Sequence, residues 1–89
     1  MQSRTTRQFR DLLQAAPPAV RDNATAAYLM WAANPDLPPL RFKKVHATLP
    51  IYSVRIDLDW RAVGVLREGL VVWFWVGPHG EYDKLLTGI

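Results

Sequence analysis

The run Leu70-Val71-Val72-Trp73-Phe74-Trp75-Val76, followed by Gly77-Pro78-His79-Gly80-Glu81-Tyr82-Asp83-Lys84-Leu85-Leu86, decides the fold. The first part is apolar without interruption, so it lacks the alternation of a strand with one wet face. Such a run reads as a central strand covered on both sides. It is far shorter than the roughly 20 residues that a membrane-crossing helix needs. Gly77-Pro78 ends it, and a polar segment follows directly on the buried strand.

Working back from that run, Glu68-Gly69 is a turn and Trp60 to Leu66 a preceding strand. A short turn near Asp59 separates it from Ile51 to Leu58. There the period is two, with Val54, Ile56 and Leu58 on one face and Ser53, Arg55 and Asp57 on the other. Leu40 to His46 reads as the first strand. The short connections predict antiparallel neighbours. Upstream, Pro35-Asp36-Leu37-Pro38-Pro39 is a rigid linker at which the periodicity changes from helical to alternating. Residues 5–16 carry Phe9, Leu12, Leu13 and Ala16 at helical spacing, with Thr5 or Thr6 as cap and Pro17 as stop. A second helix starts at Pro18, carries the stripe Val20, Ala24, Ala27, Tyr28 and Trp31, and stops at Asn34-Pro35. The expected fold is α+β: an N-terminal helical hairpin packed on one face of a four-stranded antiparallel β-meander, with a short C-terminal helix or tail. The 89 residues make one domain, 1–89.

Composition narrows the chemistry. The absence of cysteine excludes disulfides, thiolate metal sites and thiol nucleophiles. The segment Met1 to Arg10 is polar and basic with no apolar stretch behind it, so the expected location is the cytoplasm, without membrane attachment. Net charge is +3. The basic excess lies in the predicted sheet, where Arg41, Lys43, Lys44, Arg55, Arg61 and Arg67 face only Asp57 and Asp59. That distribution suits a polyanionic partner. Arg55 lies opposite the core face of its strand, Arg41 and Lys43 share one face of theirs, and Arg61 begins the third. Together they are expected to form a basic surface on the open side of the sheet.

Each candidate has a plainer role beside its functional one. His79 can exchange protons near neutral pH. Tyr82 can donate a hydrogen bond or stack on a base; it can also anchor a short helix together with Leu85 and Leu86. Arg55 has Asp57 and Asp59 as potential ion-pair partners. Lys43 and Lys44 suit a solvated sheet edge. Arg61, beside Asp59 and Trp60, suits a salt bridge or a cation–π contact. Trp73 and Trp75 are expected in the core.

The strings Leu40-Arg41-Phe42-Lys43, Tyr52-Ser53-Val54-Arg55-Ile56, Trp60-Arg61-Ala62, Val72-Trp73-Phe74-Trp75-Val76-Gly77 and His79-Gly80-Glu81-Tyr82-Asp83-Lys84-Leu85 resemble the RelE/ParE superfamily of toxin–antitoxin toxins. They are most similar to its HigB-like branch, which often ends in a Trp-Ile-Gly-x-His-x-Glu-Tyr-Asp-like string. The resemblance runs from about Phe9 to Leu86. It implies a helical hairpin on a curved antiparallel sheet. In the RelE and HigB branches it implies a metal-independent endoribonuclease, an mRNA interferase working at the ribosome without a cofactor and arresting growth. Carried onto this chain, it makes Arg55, His79 and Tyr82 the catalytic candidates: Arg55 for transition-state charge, His79 and Tyr82 for proton transfer or base stacking. Lys43, Lys44 and Arg61 become the RNA- and phosphate-binding candidates. It also implies a cognate antitoxin that folds on or wraps the basic face. A ParE-like toxin that binds DNA gyrase without nuclease chemistry, or an inactive binding module, would use the same fold. The family often begins with a clear strand before the first helix. Met1 to Thr6 is polar and short, so that strand is expected to be absent or weak here.

Overall fold

A computed structural model describes residues 1–89. In chain order the elements are β1 (Gln2–Thr5), α1 (Arg7–Gln14), α2 (Pro18–Ala33), a 3-10 turn (Pro38–Leu40), β2 (Lys43–Lys44), β3 (Ile51–Arg55), β4 (Trp60–Arg67), β5 (Leu70–Pro78) and α3 (His79–Gly88). The strands form one sheet in the order β1-β5-β4-β3-β2. The α+β class and the helical hairpin on one face stand as expected. The sheet does not: it has five strands and is mixed.

The extra strand is β1, which pairs in parallel with β5 from Gln2 opposite Leu70 to Thr5 opposite Trp73. Gln2-Ser3-Arg4-Thr5 has no apolar residue, so no hydrophobic pattern announces it. It is an edge strand held by the free ladder edge of β5, and the ladder continues as the Thr6 amide donates to the Trp73 carbonyl at 2.9 Å. The first strand of the sequence reading shrinks to Lys43–Lys44. Pro38 and Pro39 have no backbone donor, and Arg41 turns the chain in the left-handed region at φ 48°. β3 stops at Arg55 because Asp57 nucleates a turn. Its carboxylate accepts from the amides of Asp59 and Trp60, each at 2.9 Å. Leu58, expected on the core face, is thereby lifted onto the turn and is 76 % exposed.

Both helices begin where the caps direct. Thr6 caps α1, its hydroxyl accepting from the Phe9 amide at 3.1 Å. Pro18 occupies the first turn of α2. One core lies between this hairpin and the sheet. Trp31, 1 % exposed, meets Trp73 edge-on at 5.3 Å, with Phe9, Val54, Ala62, Val71 and Val76 around them. Full burial of each such aliphatic side chain contributes about 1.5–3 kcal/mol. A smaller core lies on the opposite face, where Ile51 and Val63 meet Tyr82 of α3, with Trp75 and Leu85 packed against them. The two cores explain why β5 shows no alternation. Trp73 is buried as expected, whereas Trp75 is only half-buried. The face opposite the hairpin is closed along α3 and stays open beside β3 and the start of β4.

The β4–β5 ladder slips at Val63/Gly64. A Cβ on Gly64 would stand 2.7 Å from Val71 Cγ1 and 2.9 Å from the Val72 carbonyl oxygen. Gly64→Ala is therefore expected to lower stability by about 1–3 kcal/mol, the range for overpacking a tight core. Gly80→Ala, in α3 with nothing within 4 Å, should be neutral or stabilising. Chemical denaturation of the two variants checks the contrast.

Candidate anion-binding and catalytic site

The β3–β4 register sets Arg55 directly opposite Arg61. Two cations at such a cross-strand position repel and cost stability. Pleating puts Ser53 and Arg55 on one face, and Lys43, opposite Ser53 on β2, joins them. Arg41, Lys43, Ser53, Arg55, Arg61, His79 and Tyr82 line a cavity of about 130 Å³. Five of the six residues expected at the site converge there. Lys44 does not, because the same pleat points it away; its ammonium donates to the Ala47 carbonyl at 3.3 Å.

The cations of this cavity have no carboxylate within ion-pair distance. The ion pairs of the molecule are Arg7–Asp11, His79–Asp83 and Lys84–Glu81. The Asp57 carboxylate is occupied by its own turn and by the Asn23 side-chain amide at 3.1 Å. Backbone carbonyls hold the arginines instead. Arg61 Nη1 donates to the carbonyls of Asp57 at 2.8 Å and Trp60 at 3.0 Å, and Arg55 Nε donates to that of Asp57 at 3.4 Å. Carbonyl dipoles orient a guanidinium without cancelling its charge. The salt bridge weighed for Arg55 is therefore not formed, and the forks stay available for an anion.

Burial pulls the Arg61 pKa below its ordinary value, and the neighbouring Arg55 and Arg41 pull it further. Tyr82 and Asp57 oppose this in part. An arginine starts high enough to keep its proton under this pressure. A lysine, starting near about 10.4, would be far closer to losing its proton.

α3 brings the remaining pair. Pro78 precedes its first turn, and the His79 amide is tied to the Asp59 carbonyl at 2.6 Å, which locks the helix start to the β3–β4 turn. One turn along, Asp83 lies 3.4 Å from His79 Nε2. The His79 side chain is 53 % exposed, so it reaches both the cavity and solvent. Tyr82, 7 % exposed, donates its hydroxyl hydrogen to Ser53 Oγ at 3.0 Å, and its ring lies 5.8 Å from that of His79. This bond pins α3 onto β3. Sequence reasoning did not single out Ser53 as a site residue, although its two-residue spacing from Arg55 carried the signal. Arg41 was expected on the basic surface beside Lys43 but not named as a site residue, and nothing local announces its left-handed backbone.

The sequence pattern of the ParE-like toxin domain matches residues 18–84. The chain belongs to this family. Among solved structures, the RelB–RelE antitoxin–toxin complex from Methanococcus jannaschii matches with a TM-score of 0.73 and 13 % identity, over 92 % of this chain and 96 % of that one. The RelE–RelB complex from Pyrococcus horikoshii OT3 matches at 0.70 and 17 %, over 89 % and 94 %. The E. coli DinJ–YafQ complex matches at 0.66 and 19 %, over 89 % and 93 %. At these identities the structural likeness is one of fold. No curated protein matches by sequence. Membership places this toxin domain in the RelE/ParE superfamily; the HigB-like branch rests on the tail string alone.

Tyr82→Phe in this toxin domain is expected to cost about 0.5–1.5 kcal/mol, because it leaves the buried Ser53 hydroxyl without its donor. Ser53→Ala should cost a similar amount, and the double variant less than the sum of the two. Urea denaturation of the double-mutant cycle reads the coupling.

Proposed function

We propose that this domain is the toxin of a type II toxin–antitoxin system and that it arrests translation by cutting mRNA at the ribosome, in the manner of the HigB-like branch. The observation that supports this reading is the cavity of Arg41, Lys43, Arg55 and Arg61, uncompensated by any carboxylate and bordered by His79. A phosphodiester supplies the missing charge, and guanidinium forks match its oxygens.

The proposed chemistry is attack by a ribose 2′-oxygen on the adjacent phosphorus. The Asp83 carboxylate, 3.4 Å from Nε2, favours the tautomer with its proton on Nε2 and its lone pair on Nδ1. That nitrogen takes the 2′-hydroxyl proton as the new P–O bond forms. The bond from phosphorus to the 5′-oxygen breaks, the electron pair leaves with that oxygen, and solvent protonates it. The products are a 2′,3′-cyclic phosphate and a 5′-hydroxyl end, and His79 then returns its proton to water. Arg55 and Arg61 hold the charge that builds on the non-bridging oxygens. Lys43 and Arg41 bind phosphate, Lys44 lies on the strand's other side and takes no part in the cavity, and Tyr82 positions His79 by anchoring α3. The acidic or amphipathic antitoxin segment lies across the same cations.

A second reading has one observation of its own: the matching family is named for ParE-like toxins. On that reading the domain inhibits DNA gyrase and cuts nothing. Expression with transcript mapping and a supercoiling assay separates the two. The nuclease reading expects growth arrest, mapped mRNA cuts and normal supercoiling. Intact transcripts during arrest sink it, and a chain harmless without its partner would be a binding module.

Three variants test the roles. His79→Ala should lower cleavage about 10²–10⁴-fold, the usual contribution of a general base. Arg55→Ala should lower cleavage about 10²–10³-fold. The same change should leave stability unchanged or raise it by up to about 1 kcal/mol, since it removes a like-charge pair. Arg61→Lys should retain partial activity that declines at a lower alkaline pH than that of the wild type, because a lysine pulled down by burial and two arginines sheds its proton first.

A further inference from the structure

The arginine pair stays without a counter-charge although a carboxylate stands within reach of it. Asp57 gives its carbonyl oxygen to Arg61 Nη1 at 2.8 Å and to Arg55 Nε at 3.4 Å. Its carboxylate hangs from the same residue on one short side chain. The charge of Asp57 already reaches Arg61, where it offsets part of the fall in pKa. A turn of that side chain would set an acid against the guanidiniums and cancel the charge of the site from within.

Three neutral donors hold the carboxylate away. Oδ1 accepts from the amides of Asp59 and Trp60, each at 2.9 Å. Those two bonds belong to the turn, and an aspartate at the head of such a turn makes them by itself. Oδ2 has a single partner, the side-chain amide of Asn23 at 3.1 Å. Asn23 comes from α2, 34 positions earlier, and is exposed. The hairpin does not need it for packing: the buried residues of α2 are Val20, Ala27 and Trp31. An amide suits the duty, because it donates to the carboxylate and adds no charge of its own.

We propose that Asn23 is a positioning residue for the basic cavity: by holding Asp57 Oδ2 it keeps the Asp57 carboxylate off Arg55 and Arg61, and so keeps both guanidiniums free for a phosphate. The proposal rests on the anion-binding part of the function proposed above and not on cleavage. Without Asn23, Oδ2 has only water for a partner, and turning toward the arginines then gives up one hydrogen bond fewer. A hydrogen bond to an ionised group is of the stronger kind, so its loss biases the side chain toward the internal ion pair. The outer layer of the fold thereby governs a site on the other face of the sheet.

The test is an NMR titration with inorganic phosphate at constant pH and salt, followed on the arginine Nε–H signals. It compares the wild type, Asn23→Ala, Asp57→Asn and the double variant. Asn23→Ala is expected to weaken phosphate binding about 2- to 5-fold, the worth of one partly exposed ion pair that now competes with the anion. Asp57→Asn keeps a carbonyl oxygen for the turn amides and has no charge to offer. It should bind phosphate at least as tightly as the wild type, and adding Asn23→Ala to it should change nothing. A merely structural role for Asn23 would weaken binding equally with and without the Asp57 charge. That result, or unchanged binding in Asn23→Ala, overturns the proposal and leaves the anion site standing. If the Arg55 and Arg61 signals of the wild type do not respond to phosphate, the anion site fails and the proposal with it.

Discussion

β5 is the element on which the other parts depend. It pairs with β1 on one side and β4 on the other, sends Trp73 into the core under the helical hairpin, and sends Trp75 to the face shared with α3. Its last residue also leads without a loop into α3. A strand buried on both faces cannot slip by one residue without exchanging its two sets of side chains. The register of β4 against β5, and of β3 against β4, follows from that constraint. The opposition of Arg55 and Arg61 is therefore a by-product of core packing, set by apolar residues outside the cavity.

The legible parts of the sequence were those in which hydrophobic pattern and geometry agree. The unbroken run at 70–76 disclosed a strand covered twice, and the two-residue period at 53–57 placed Arg55 on the face of the basic cavity. The prolines at 17, 18 and 35 bounded the helices. The illegible parts are held by other forces. β1 is held by its ladder with β5 and by the Arg10 guanidinium on Thr5, and it leaves no trace in hydrophobic pattern. The end of β3 is a side-chain turn at Asp57, which a count of alternating residues runs straight through, carrying Leu58 to the wrong side. Lys44 was grouped with Lys43 by proximity in sequence, and the pleat separates them. The bond between Tyr82 and Ser53 spans 29 positions and no local pattern reports it.

The site shows how a small domain keeps charges ready. Only two of the eleven lysines and arginines, Arg7 and Lys84, pair with a carboxylate. In the cavity the one nearby carboxylate with the right reach, Asp57, is turned to backbone amides and to Asn23, and it offers the arginines only its carbonyl oxygen. A single aspartate thus ends a strand, shapes the turn and orients two guanidiniums while neutralising neither. Arginine fits this duty better than lysine, because the burial and neighbouring cations that lower the Arg61 pKa leave it a wider margin before its proton is lost.

The uncompensated arginine pair also makes the empty protein sensitive to its ionic surroundings. At about 0.15 M salt the screening length is about 8 Å, similar to the dimensions of the cavity itself, so dissolved anions partly quiet the repulsion before any specific ligand arrives. Whatever anion settles there binds the folded chain and not the unfolded one, and by mass action it shifts the folding equilibrium toward the native state. The occupied domain is then the sturdier one, and the free domain is the form that quality control in a cell would meet first.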